Sequence, residues 1–381
     1  LCICGIFLLQ RTYLEAVMSV FAASDFSTHE QVVFAHDAAT GLRAIIAIHN
    51  TQLGPALGGC RMWSYADEQA AITDVLRLSK GMTYKAALAG LALGGGKSVI
   101  IGNSKQDKTP ALMRAMGQAV ERLSGRYIVA EDVGTNTQDM TEIRKQTSHV
   151  AGLAAELGGS GDPSPATAYG VYLGLVETVT QHLHAADLAG LKVAVQGLGN
   201  VGWHLCEMLH EAGVKLIVTD INKDVLAKAQ SQFGAELVGV DDIYGVQADI
   251  FAPCALGAIL NDQTIVQLKA KVVAGSANNQ LKEARHGLML QERGILYAPD
   301  YAINAGGVIN VGHEKLSAGG YDRSKAYAQI EQIPLTLRSI YEMSAQKGIT
   351  PAEAADQLAE LRLRPVAVTT DQGHSNLAAA L

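Results

Sequence analysis

The sequence predicts an α/β protein of two domains separated by a cleft, the second of them a doubly wound sheet. Three observations carry this. The chain has 381 residues, more than one hydrophobic core usually serves. A stretch rich in Gly, Ser and Pro, GGSGDPSPAT (158–167), divides two series of apolar runs. Beyond it, strand, glycine turn, helix and strand follow in the order of a βαβ unit.

The elements can be read in order. Residues 30–62 alternate apolar and polar, with turns at 37–41 and 54–59, and LRAIIAIHN (42–50) reads as a strand. Over 67–89, Ala70, Ala71, Val75, Leu76, Leu78 and Met82 recur at three- and four-residue steps, which predicts a helix. SVII (98–101) is β-branched and predicts a strand, followed by a helix over 110–123 and the strand RYIVA (126–130). EDVGT (131–135) then lies at a strand's C-terminal end, where ligands gather in open α/β sheets. Past the divide come helix 167–182, strand 191–196, helix 201–212 and strand 215–220. Short apolar runs follow at 250–254, 271–275 and 294–298, and helices near 325–347 and 351–362 close the chain.

Composition narrows the function. The net charge is −7 with no basic run, which argues against a nucleic-acid partner. No apolar run reaches the length of a membrane span. The five cysteines are scattered and form no C-x-x-C, as expected of reduced thiols in the cytoplasm rather than a disulfide framework or zinc site. The opening LCICGIFLLQ lacks a positive region, and Met18 is the expected natural start, with 1–17 an upstream extension.

LKVAVQGLGNVG places Gly197, Gly199 and Gly202 in G-x-G-x-x-G spacing between an apolar strand and a helix. The first glycine permits the tight turn, the second lets backbone approach a pyrophosphate, and the third lets helix pack on strand. Asn200 and Val201 open the helix, whose free N–H groups face the anion. The next strand ends at Asp220, where an acid would bind adenosine ribose hydroxyls and repel a 2′-phosphate. A Rossmann domain binding NAD is expected; Lys223 nearby leaves NADP open. His204, Cys206 and His210 on the same helix lack a third ligand at metal spacing, so no metal is expected.

GLALGGGKSVI (90–100) invites a phosphate-loop reading, G-x-x-x-x-G-K-[ST]. Gly96, Lys97 and Ser98 fit its end, but Leu91 stands where the first glycine belongs, and a strand follows where a helix should. Lys97 therefore needs another role, as does Lys85 in GMTYK; each lies in apolar, glycine-rich sequence where a charged chain gains little.

These segments carry a resemblance. GPALGGCRMW (54–63), GMTYKAALAGLALGGGKSVI (81–100), GRYIVAEDVGT (125–135), GDPSPATAYGVY (161–172), VQGLGNVG (195–202), APCALGA (252–258), AGSANNQL (274–281) and APDYAINAGGVINV (298–311) together resemble the leucine dehydrogenases of the glutamate/leucine/phenylalanine/valine dehydrogenase superfamily, over about residues 28–365.

The resemblance implies an N-terminal substrate and oligomerisation domain, 18–150, completed by a C-terminal helix 345–381, and an NAD-binding domain, 151–344. It implies Lys97 and Asp132 as catalytic groups and Lys85 as the α-carboxylate ligand. Gly58 and Asn279 would also meet substrate, and Thr167, Cys254, Ala255 and Asn278 the cofactor. It implies a side-chain pocket of Leu57, Ala130, Val308 and Val311, and a homo-oligomer, octamer or dimer. All four pocket positions are apolar, so branched-chain L-amino acids fit and a distal carboxylate does not.

The reaction expected is reversible oxidative deamination to the 2-oxo acid and ammonia. A carboxylate beside a lysine suits its proton transfers. Valine or phenylalanine dehydrogenase are the alternatives within the family, and a non-catalytic NAD-binding regulator the alternative outside it.

Overall fold

The computed structural model describes residues 19–316 and 320–364. The expected N-terminal extension and the end of the closing segment, 365–381, lie outside the described residues. The first half of the chain runs β1 (Gln31–Asp37), β2 (Leu42–Asn50), β3 (Ala56–Trp63), α1 (Glu68–Leu88), β4 (Gly94–Ile101), α2 (Pro110–Glu121), β5 (Tyr127–Glu131) and α3 (Thr137–Arg144). Its strands form one mixed sheet in the order β1-β2-β4-β3-β5. β1, β2 and β4 pair antiparallel in turn, while β3 runs parallel to both β4 and β5.

The second half begins with α4 (Ser164–Leu183), β6 (Lys192–Gln196), α5 (Asn200–Glu211), β7 (Lys215–Thr219), α6 (Lys223–Phe233), β8 (Glu236–Leu237) and β9 (Ile250–Pro253). It continues through α7 (Asp262–Ile265), β10 (Val272–Val273), α8 (Arg285–Glu292), β11 (Leu296–Tyr297), α9 (Asp300–Ile303) and α10 (Gly306–Leu316). It ends with α11 (Arg323–Ile330), α12 (Ile333–Lys347) and α13 (Pro351–Leu363). The six strands pair parallel in the order β11-β10-β9-β6-β7-β8. The winding reverses between β6 and β9, so a crevice opens outside their C-terminal ends.

Two elements depart from the sequence reading for one reason. The expected turn at 54–59 runs into strand β3, and β4 begins at Gly94 rather than at residue 98. The glycines there serve close packing between strands instead of a bend. A Cβ on Gly58 would lie 1.7 Å from the Gly96 carbonyl oxygen, and one on Gly95 would lie 2.0 Å from the Thr83 nitrogen of α1. Gly58→Ala therefore forces backbone apart and is expected to cost about 3 kcal/mol or more, read as a lowered denaturant midpoint.

The helix expected at 167–182 starts at Ser164, with Pro165 accommodated in its first turn, so part of the Gly/Ser/Pro stretch is helical. The helix expected over 325–347 is two, α11 and α12. The single helix expected over 345–381 is broken among the described residues: α12 ends at Lys347, Gly348 turns in the left-handed region and α13 starts afresh at Pro351.

α1 ties the two halves together. Asp67 caps its start, accepting from the Ala70 N–H at 2.8 Å. Its last carbonyls, which no helix can satisfy internally, receive Arg362 (Nη1 to Leu88 O, 2.5 Å), Thr336 (3.2 Å) and, just beyond, Gln329 (to Ala89 O, 2.8 Å). All three donors come from α11, α12 and α13, and α13 packs along α1.

Beneath α1 two histidines are buried ring to ring, His29 and His49, 4.8 Å apart. His49 Nδ1 lies 2.9 Å from Thr83 Oγ1, and His29 Nε2 lies 3.0 Å from the Leu76 carbonyl. Burial lowers both pKa values, that of His49 to about 3 with help from His29 and Lys80. Unfolded, both take protons near pH 6.5, so their contribution is complete above that pH and is lost as pH falls towards 3. Melting temperature is expected to drop from pH 7.5 to pH 5, and less steeply in His49→Gln.

Candidate active site

Strand alternation builds the site. On β3, Leu57, Gly59 and Arg61 are two residues apart and share a face. Lys97 lies on neighbouring β4, between β2 and β3 in the sheet. Ala130 lies on β5, and Asp132 follows directly after it. α1 lays Leu78, Gly81, Met82 and Lys85 over the same space at helical spacing. From the second half come Thr167 at the start of α4, Val201, Asn278, Asn279, and Val308 and Val311 on α10. Together these line one cleft of about 390 Å³. Twelve of the residues expected at the site thus meet there: Leu57, Gly58, Lys85, Lys97, Ala130, Asp132, Thr167, Val201, Asn278, Asn279, Val308 and Val311.

Lys97, 5% exposed, places Nζ 3.0 Å from Asp132 Oδ2. Gly59 makes room for the pair, since a Cβ there would stand 2.7 Å from Asp132 Cβ and 3.2 Å from Lys97 Nζ. Burial raises the Asp132 pKa, but Lys97 and then Arg61 outweigh it, and the net pKa falls to about 2. Burial brings the Lys85 pKa down to about 8, with Asp300 opposing the effect and Lys97 adding to it.

The dinucleotide turn adjoins the cleft. Gly197 takes φ +96°, which a side chain rarely adopts, and a Cβ there would lie 2.7 Å from that of Ala255 in the loop after β9. A Cβ on Gly202 would lie 2.1 Å from the Gly197 oxygen, whereas one on Gly199 would meet nothing within 4 Å. Gly202 thus packs helix on strand, and open space faces Gly199 and the N-terminus of α5 at Asn200, as a pyrophosphate needs.

Asp220 accepts from the Leu198 N–H (2.7 Å) and the Asn222 N–H (2.8 Å), which bind its carboxylate to the glycine turn and leave lone pairs for a ribose. Gly197, Gly199, Asn200, Gly202, Asp220, Cys254 and Ala255 surround this turn and do not line the 390 Å³ cleft itself. On α5, Cys206 is buried in the core, His204 pairs with Glu207 at 2.9 Å, and His210 packs on Phe233.

Comparison with known proteins decides the family. Residues 27–149 match the Glu/Leu/Phe/Val dehydrogenase dimerisation domain, and residues 158–229 and 219–367 match the Glutamate/Leucine/Phenylalanine/Valine dehydrogenase domain. The chain is 56% identical to a leucine dehydrogenase of Geobacillus stearothermophilus over 346 residues, covering 91% of this chain and 94% of that one. It is 52% identical to a leucine dehydrogenase of Bacillus subtilis, covering 94% and 99%. The solved structure of L-tryptophan dehydrogenase from Nostoc punctiforme superposes with a TM-score of 0.77 at 47% identity, covering 88% of this chain and 96% of that one.

The chain belongs to the Glu/Leu/Phe/Val dehydrogenase family.

Several residues of this dehydrogenase site escaped the sequence reading. Arg61 lies in GPALGGCRMW with no role implied by the sequence, yet its Nε lies 2.9 Å from Asp132 Oδ2. Its spacing from Gly59 is the available signal, hidden because the turn expected at 54–59 takes in the first half of β3. Asp300, 7% exposed, begins α9 and accepts from the Gln280 N–H at 2.8 Å. Asn304 donates to Ser276 O (2.9 Å) and to Asn278 Oδ1 (2.8 Å), which turns the Asn278 NH₂ away from Asn304. Only tertiary contact reveals these last two.

Gly81 lies within α1 with nothing within 4 Å of a Cβ position, on the cleft wall. A mid-helix glycine costs about 1 kcal/mol against alanine. Gly81→Ala is expected to raise stability by about that amount while a methyl narrows the cleft, seen as a higher melting temperature with a higher KM for the amino acid.

Proposed function

We propose that this protein catalyses the reversible, NAD-dependent oxidative deamination of L-leucine and other branched-chain L-amino acids. The products are the 2-oxo acid, ammonium, NADH and a proton. The observation that carries the reading is the convergence of Lys85, Lys97 and Asp132 on one cleft whose remaining wall includes Leu57, Ala130, Val308 and Val311.

NAD, when bound, accepts the hydride from the substrate Cα. The protein's own groups do the rest. Lys85 pairs with the α-carboxylate and fixes the amino acid by one end. Water adds to the resulting iminium, and ammonia leaves through a carbinolamine. Asp132 takes and returns protons in these steps, and Lys97 stabilises the oxygen on which negative charge develops. The glycine turn with the N-terminus of α5 holds the pyrophosphate, and Asp220 the adenosine ribose. Thr167 and Asn278 meet the nicotinamide end, and Asn279 the substrate.

The apolar wall favours leucine over glutamate, whose distal carboxylate would be buried without a partner there, at a cost of several kcal/mol. One methylene is worth about 1–3 kcal/mol, so valine and isoleucine follow closely. The division of labour assigns 18–150 with the returning segment 345–381 to substrate and assembly, and 151–344 to NAD. The assembly is a homo-oligomer, octamer or dimer, in the cytoplasm.

NADH formation with NAD and each of leucine, isoleucine, valine, phenylalanine and glutamate tests the proposal. Turnover of the first three with none of glutamate is expected; preferred turnover of glutamate would overturn it.

A further inference from the structure

We propose that Arg61 is a positioning residue for Asp132: it clamps one carboxylate oxygen so that the other faces the reacting centre. This rests on the acid/base role read above for Asp132. Both cations near that carboxylate make their closest approach to the same atom, Oδ2: Lys97 Nζ at 3.0 Å and Arg61 Nε at 2.9 Å.

Arg61 is itself held from behind. Its Nη1 lies 2.9 Å from Asp74 Oδ2, which also accepts from the Tyr65 hydroxyl at 2.7 Å, while Asp74 Oδ1 meets Arg77 at 3.2 Å. A planar guanidinium can bridge two carboxylates in fixed geometry; a lysine ammonium cannot. The fork therefore transmits a rigid anchor on α1 to a side chain at the end of β5, and leaves Oδ1 to the substrate.

The charged and titratable surroundings of Asp132 are few. Lys97 faces it from β4, Arg61 from β3, Lys85 and Asp74 from α1, and Tyr65 from the segment after β3. Glu131 precedes it in the chain and bonds to Thr137. Buried Cys60 and Tyr127 have raised pKa values and stay protonated. Removing the Arg61 charge leaves Lys97 as the nearest cation, so the Asp132 pKa rises. Arg beside Asp lowers the carboxyl by about 1–3 units, which sets the size of the shift to look for.

The test compares pH profiles of kcat for leucine oxidation in wild type, Arg61→Gln, Arg61→Lys and Asp132→Asn, with a melting curve for each. Arg61→Gln is expected to lose at least tenfold in kcat and to move the acidic limb up by about 1–3 pH units. Arg61→Lys, keeping charge without the fork, is expected to restore the limb but only part of kcat. A merely structural role would lower melting temperature and active fraction without moving the limb. Wild-type kcat and an unmoved limb in Arg61→Gln, beside an inactive Asp132→Asn, would overturn the inference alone. Near-normal turnover by Asp132→Asn would remove the reading beneath it as well.

Discussion

Lys97→Ala is expected to reduce kcat by about 10³-fold or more while the protein folds normally. General acid–base catalysis is worth about 10²–10⁴ and a well-aimed cation at a developing oxyanion about 10²–10³. The substitution removes both the cation and the larger of the two charges, beside Arg61, that hold the Asp132 pKa down. Lys97 is almost fully buried and reaches Asp132 at 3.0 Å, so the loss cannot be made good by solvent. Asp132→Asn should fall comparably. Because the two act as a unit, the double variant should be little worse than either alone. Single-turnover measurements with leucine and NAD check this. A drop below tenfold in either single variant would remove the pair from the chemistry.

Lys85→Met is expected to act on substrate capture instead. Truncating one partner of a buried, hydrogen-bonded charge pair costs about 2–5 kcal/mol, which corresponds to a rise in KM for the amino acid of roughly 30- to 4,000-fold. The wild-type pH dependence follows from the same group. Its pKa in the free protein is brought down to about 8, so the ammonium form that grips a carboxylate is complete below that pH and is lost as pH rises through it. KM for leucine should climb above pH 8 in wild type and stay flat there in Lys85→Met. A variant whose KM still climbs would assign the titration to another group.

Much of this architecture was legible from the chain. Strong periodicity gave α1, the β-branched and apolar runs gave β2, β5, β6 and β7, and glycine spacing between strand and helix located the dinucleotide turn. The residues of the cleft came from ordered motifs rather than from composition. What failed has physical causes. Glycine ordinarily marks a bend, but at 58–59 and 94–96 it permits two strands, a helix and a tyrosine ring to come within contact, and nothing local distinguishes the cases. α10 carries both Val308 and Val311, yet GGVINVGHEKL opens with two glycines and weak helix formers; tertiary packing imposes its form. Asp300 and Asn304 act through partners distant in sequence, and no spacing rule encodes such partnerships.

The mounting of the reactive groups has a bearing on how new substrates could arise. Lys97 stands on an interior strand laced to neighbours on both sides, and Asp132 directly follows the last residue of the strand two places away. The apolar wall facing them is in part a separate helix, α10, that is not laced into that sheet. Exchanges along α10 can therefore reshape what is admitted without disturbing how bonds are broken. Diversification of diet at constant chemistry should accumulate there, leaving the strands untouched.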